Sequence, residues 1–152
     1  MSNRLNTNAA ATVLVVEDDP IFRLLISTIA ESCECGVHAV PTVQRALECL
    51  SHNDYRVVFL DCYLPDGHGA DVAEFLRSRT GGPDCLVIAL STDDSPENVA
   101  RVMQAGAARF LRKPVSVAEI KLLLRKHCSD GGIEGGVPQA IEPSLNLMAG
   151  PE

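Results

Sequence analysis

Five times between Thr12 and His127 the chain repeats one alternation, a short apolar run followed by a longer segment whose apolar residues recur at helical spacing. ATVLVV (11–16) is continuous and β-branched, the pattern of a strand covered on both faces. Pro20 then opens a helix, with Asp18 or Asp19 placed to cap it. Ile21, Leu24, Leu25 and Ile29 follow at helical spacing and are expected to form its apolar face, with Gly36 closing it. VHAV (37–40) reads as a second strand, and Thr42 caps a helix to about Leu50, with Val43, Ala46, Leu47 and Leu50 on one side. RVVFL (56–60), CLVIAL (85–90) and ARFLR (108–112) are the remaining strands. Their helices run from about Gly69 to Arg79, from Ser95-Pro96-Glu97 to Gly106, and from Ser116 onward. Val99, Val102 and Met103 are expected to face inward on the fourth, and Val117, Ile120, Leu123 and Leu124 on the fifth. Connections this short imply parallel strands joined by right-handed crossovers. The expected fold is therefore α/β, a five-stranded parallel doubly wound sheet with five helices.

The repeat fills one domain, 12–127, of a 152-residue chain that is 46% hydrophobic, enough to bury a real core. Residues 1–11 read as a flexible segment and 128–152 as a Gly/Pro-rich flexible tail, in which Leu145, Leu147 and Met148 form a small apolar island. A net charge of −7 argues against nucleic acid as a partner, because phosphates would be repelled. No apolar run approaches the roughly 20 residues that span a bilayer. The opening MSNRLNTNAAA lacks the apolar core of a secretion signal, so a cytoplasmic location is expected. The six cysteines are irregularly spaced, and Cys33 and Cys35 stand too close for the usual zinc arrangement. The four histidines are equally dispersed, so a zinc site is not expected.

In a doubly wound sheet, ligands bind outside the carboxyl ends of the strands. Four of these ends are chemically loaded: Glu17-Asp18-Asp19, Asp61, Ser91-Thr92-Asp93-Asp94 and Lys113-Pro114. Glu17, Asp18 and Asp61 held together would repel one another unless a cation sat among them. An oxygen-only, water-open site of this kind suits Mg2+ rather than zinc. A carboxylate beside such an ion is a plausible nucleophile toward phosphorus. The Lys113 ammonium and the Ser91 hydroxyl could then receive the new phosphoryl oxygens.

The stretches VLVVEDDP, VVFLDCYLPDGHG, VIALS and GAARFLRKP together resemble the receiver domain of two-component response regulators, over roughly Thr12 to His127. The resemblance implies strand order 2-1-3-4-5, with Asp61 as phosphoacceptor, charged by a histidine kinase or a histidine phosphotransfer protein. It implies Glu17 and Asp18 as the acidic pair for Mg2+, with Asp18 the direct ligand, together with Asp61 and the Tyr63 backbone carbonyl. Lys113 matches the family's lysine, before a proline bond that is often cis. Ser91 matches the switch hydroxyl and Phe110 the switch aromatic. The protein would then be a signalling domain that catalyses only its own phosphorylation and dephosphorylation. Its face of fourth helix, fifth strand and fifth helix would be read by a downstream protein, with room for a phosphorylation-dependent dimer. A stand-alone phosphate shuttle or sink in a multistep relay is the alternative.

Three positions around the pocket depart from the family's commoner residues or vary within it. Thr92, bulkier than the usual Ala or Gly, should narrow access for small phosphodonors. Tyr63 and Asp93 flank the pocket and should tune dephosphorylation, Tyr63 as a shield and Asp93 as a group able to orient water against it. A haloacid-dehalogenase-like phosphatase would also use a strand-end Asp with Mg2+. It needs a second acid two residues on, where Tyr63 stands. A flavin carrier would need a phosphate-binding loop where Glu17, Asp18 and Asp19 would repel the phosphate.

Overall fold

A computed structural model describes residues 11–79 and 84–128. The strands are β1 (Ala11–Val16), β2 (Gly36–Val40), β3 (Val57–Asp61), β4 (Leu86–Ser91) and β5 (Arg109–Arg112). The helices are α1 (Pro20–Ser32), α2 (Val43–His52), α3 (Gly69–Ser78), α4 (Pro96–Ala105) and α5 (Val117–Cys128). Between β3 and α3 lies a two-residue antiparallel ribbon, Tyr63–Leu64 against Gly67–His68. All five main strands are parallel, in the order β2-β1-β3-β4-β5, as the resemblance implied. The terminal segments expected at 1–11 and 128–152, with the Leu145–Met148 island, lie outside the described residues. The exceptions are Ala11, which begins β1, and Cys128, which ends α5.

Each face of the sheet carries its own core, because alternate side chains of a strand point to opposite sides. Leu14, Val16, Val58, Leu60 and Ala89 pack with α2, α3 and α4 through Val43, Ala46, Leu50, Val72, Ala73 and Val102. Val13, Val15, Phe59, Ile88 and Leu90 pack with α1 and α5 through Ile26, Ile29, Ala30, Ile120, Leu123 and Leu124. Phe59 is fully buried, which contributes roughly 1.5–3 kcal/mol by area alone.

The inward faces of three helices differ from expectation. On α1 the buried residues are Ile26, Ile29 and Ala30, whereas Ile21, Leu24 and Leu25 are exposed by 78%, 66% and 40%. The helix is apolar almost all round, so spacing alone fits two faces, and contact with α5 and β2 selects the other one. On α4, Met103 is exposed and Val99 half-buried, while the polar Asn98 takes an inward place beside Val102 and Ala105. On α5, Val117, the first residue of the helix, is exposed.

Candidate functional site

Register delivers the polar residues to one edge. Val16 of β1 pairs with Leu60 of β3, so Glu17 and Asp61 emerge side by side. Asp61 pairs with Leu90, placing Ser91 next, and Ser91 pairs with Arg112, placing Lys113 next. Because β2 lies on one side of β1 and β3 on the other, chain growth reverses between β1 and β3, and the crevice of a doubly wound sheet opens at such a point.

Glu17 is almost wholly buried, with both carboxylate oxygens engaged. Oε2 accepts from the Asp19 N–H at 3.0 Å, and Oε1 accepts from Lys113 Nζ at 2.7 Å. The same ammonium lies 3.7 Å from Asp61 Oδ1 and 4.4 Å from the centroid of Phe22, a cation–π contact. Arg23 Nη1 donates to the Glu17 carbonyl at 2.8 Å and fixes the turn into α1. Asp19 caps that helix through Oδ1, which accepts the Ile21 N–H at 3.0 Å, leaving Asp18 to face solvent. One carboxylate oxygen each from Glu17, Asp18 and Asp61 fall within 4.8 Å of one another.

Asp61 is only 7% exposed. Burial, and then the Glu17 charge, push its carboxyl up to about 7, against a downward pull from Lys113. The pocket is therefore short of positive charge. Its donors are all oxygen, and one of them, Asp18, is open to water, which fits a hard divalent cation such as Mg2+.

The close approach of α3 to β3 depends on Gly69. A Cβ there would run into the Asp61 carbonyl oxygen and stand 3.1 Å from Leu60 Cγ. Gly69 N–H donates to the Cys62 carbonyl at 2.7 Å, anchoring the return of the chain. At the far side of the ribbon, Asp66 accepts the Val43 and Gln44 N–H groups at 2.8 and 3.0 Å, capping α2. Those two bonds hold its carboxyl below the usual range.

The structure brings Glu17, Asp18, Asp61 and Lys113 into one cluster, with Ser91 buried on the adjacent strand. Ser91 Oγ accepts the Asp93 N–H at 3.0 Å. Tyr63, half exposed, donates its hydroxyl to Asp93 Oδ2 and so joins the β3–α3 ribbon to the β4–α4 loop. This bond and the Ser95 N–H hold the Asp93 carboxyl down. Thr92 is exposed in the same loop. Phe110 is half-buried on β5 against the α2–α4 side of the sheet. The Lys113–Pro114 bond is cis. A cavity of about 290 Å3 at the opposite ends of the strands, bounded by Tyr55, Arg79 and Gly106, shares no residue with the cluster.

Sequence reading passed over His68, Asn98, Arg23, Phe22 and Gly69. Gly69 was legible as a helix start next to a strand end, but its contact with Asp61 was not. His68 and Asn98 are buried polar residues 30 positions apart, a pairing that carries no local signal.

Comparison with known proteins bears on this geometry. The sequence model of the response regulator receiver domain matches residues 13–125. The two-component response regulator ORR3 of Oryza sativa is 28% identical over 127 residues, which cover 83% of this chain and 97% of ORR3. The sensory/regulatory protein RpfC of Xanthomonas campestris is 31% identical over 110 residues, 71% of this chain. The chain spans 15% of RpfC, 63% of ORR1 of Oryza sativa and 11% of the hybrid signal transduction histidine kinase C of Dictyostelium discoideum. Among solved structures, the receiver domain of a sensor histidine kinase from Pseudomonas aeruginosa superposes with a TM-score of 0.70 at 26% identity, covering 78% of this chain and 98% of that one. That structure is described with a magnesium ion coordinated in the active site cleft. A CheY-like receiver from Methanospirillum hungatei shares the fold with a TM-score of 0.69 at 23% identity, covering 76% and 90% of the two chains.

Proposed function

This chain belongs to the response regulator receiver family of two-component signalling, and from that premise we propose that Asp61 is its phosphoacceptor. The observation that carries the reading is the placement of Asp61, buried at the end of β3 between the Glu17 and Asp18 carboxylates and the Lys113 ammonium. An Asp61 oxygen attacks the phosphorus of a phosphohistidine. The P–N bond breaks, the imidazole leaves, and an acyl phosphate forms. Asp18 and Asp61 would hold Mg2+ directly with the Tyr63 carbonyl, while Glu17, engaged on both oxygens, shapes the site. When bound, the ion supplies positive charge against the carboxylates and the incoming phosphoryl oxygens. Lys113 already stands between Glu17 and Asp61, so its ammonium can pass to a phosphoryl oxygen with little movement. Ser91 Oγ, which accepts from Asp93, keeps its own proton free to donate to another.

The phosphoryl donor in this reading is a histidine kinase or a histidine phosphotransfer protein. The exposed Ile21, Leu24 and Leu25, on the helix that begins beside Asp18, offer it an apolar docking face. On the other side, Met103, Val117 and Leu122 are exposed on α4 and α5, and a downstream protein reads that face. Phosphorylation favours one arrangement there through Ser91 and then Phe110. The Tyr63–Asp93 bridge occupies both partners, so neither is free to orient water, and the acyl phosphate is shielded.

Intact-protein mass after incubation with Mg2+ and a kinase or small phosphodonor tests the assignment, with Asp61→Asn and a chelator as controls. One added phosphoryl group that requires Mg2+ and Asp61 is the expected result. No adduct from a competent kinase would refute it.

A further inference from the structure

The bridge across the pocket is held by a directed chain of hydrogen bonds that begins at His68. The imidazole is 6% exposed and Asn98 is 4% exposed. Ala70 N–H donates to His68 Nδ1 at 2.9 Å, so that nitrogen carries no proton and the ring proton sits on Nε2. Nε2 in turn donates to Asn98 Oδ1 at 3.0 Å. With its oxygen engaged, Asn98 donates its amide to the Asp93 carbonyl at 2.9 Å. Asp93 receives the Tyr63 hydroxyl and the Ser95 N–H on its carboxylate and donates its own N–H to Ser91 Oγ. The Tyr63 ring packs edge-on against His68, with centroids 5.1 Å apart. His68 thus supports both sides of the Tyr63–Asp93 bridge.

Capping α3 does not by itself account for a histidine. Ser, Asp or Asn would accept the same N–H with one oxygen, and at lower steric cost. What the imidazole adds is a second nitrogen, on the far side of the ring, that reaches the first turn of α4. A buried polar group that long is costly unless paired, and here it is paired.

We propose that His68 and Asn98 form a latch holding the Ser91–Ser95 loop closed over the Asp61 pocket, which makes His68 a positioning residue for the lifetime of the phosphoryl group. The inference rests on the phosphoacceptor reading. Since Asn98 lies in the first turn of α4, the latch also ties the pocket to the face that a downstream partner reads.

The test separates latch from cap. His68→Asn keeps an oxygen where Nδ1 stands and loses the reach to Asn98. His68→Gln places an amide donor where Nε2 stands and loses the cap. Each full-length protein is phosphorylated with phosphoramidate and Mg2+, the donor is removed, and the adduct is followed by intact mass. Amide exchange over residues 92–98 is measured on the unphosphorylated proteins. The Asn variant should lose its phosphoryl group about fivefold faster than wild type, the scale of one hydrogen bond, and exchange faster in the loop. The Gln variant should keep the wild-type lifetime while melting earlier. A role as cap alone gives the reverse, with Asn like wild type and Gln impaired. Equal lifetime and equal exchange in wild type and the Asn variant would overturn the latch. A wild type that takes no phosphoryl group from phosphoramidate or from a competent kinase would overturn the phosphoacceptor reading instead, and the exchange comparison would still decide the latch.

Discussion

Removing the charge of Asp61 should stabilise the metal-free protein, by an amount that grows with pH. Its carboxyl is pushed from 3.8 to about 7 by burial and by Glu17. The folded state therefore holds this proton more tightly than the unfolded chain does. Below about pH 4 the group is neutral in both states and exacts no penalty. Between about pH 4 and pH 7 the unfolded chain ionises while the folded one resists, so stability falls as pH rises through that window. The limiting penalty is about 4 kcal/mol, at about 1.4 kcal/mol per pH unit. Asp61 is too buried for solvent to reduce it much.

Asn at this position keeps the shape and cannot ionise. Comparing the two proteins at pH 5 and pH 8 takes in about 2–3 kcal/mol of that penalty. For a domain of this size this is a difference of roughly 10 °C in melting temperature. The assay is thermal unfolding by circular dichroism with a chelator present, for wild type and Asp61→Asn. The variant should already melt about 5 °C higher at pH 5, and the gap should widen further by pH 8. Mg2+ added at pH 8 should raise the wild type and close much of the gap. Midpoints that stay parallel from pH 5 to pH 8 would mean that Lys113 compensates Asp61 fully, and the charge-deficient pocket would be wrong.

Gly69→Ala should cost about 1–3 kcal/mol in urea unfolding, because the new Cβ meets the Asp61 carbonyl and β3 and α3 must part. Glu34 holds a left-handed φ of 65°, so Glu34→Gly should stabilise by about 1 kcal/mol in the same assay. Leu24→Arg removes an exposed apolar contact from α1 and should slow phosphoryl transfer from the cognate kinase about tenfold, with the melting temperature unchanged.

The sheet was legible because strands buried on both faces leave unbroken apolar runs, and Val13–Val16, Val57–Leu60 and Val87–Leu90 are such runs. The site was legible for a related reason. A charged residue directly after such a run has few places to go except the strand's mouth, so Glu17 and Asp61 could be grouped from position alone. Helix faces were less legible. LLISTIA on α1 offers two overlapping stripes, and only the packing partner decides that Ile26 and Ile29 turn in while Leu24 turns out. Asn98 was invisible for the opposite reason, since a polar residue reads as surface until its distant partner His68 is known.

Three of these failures of local rules lie together. Leucines exposed on α1, like charges buried together at Glu17 and Asp61, and an amide turned inward on α4 all border the C-terminal edge of β1, β3 and β4. Beside them the chain follows propensity, with Thr42, Ser95 and Asp19 capping their helices by ordinary hydrogen bonds. Stability alone would favour the opposite choice at each of the three sites, an outward polar residue on α1, a neutral partner for Asp61 and an aliphatic at 98. Three departures gathered along one edge are a cost accepted there for something outside the fold. The three departures differ in kind, one apolar, one charged and one hydrogen-bonded, as expected of an edge that must receive a partner, hold a phosphoryl group and pass the change to α4.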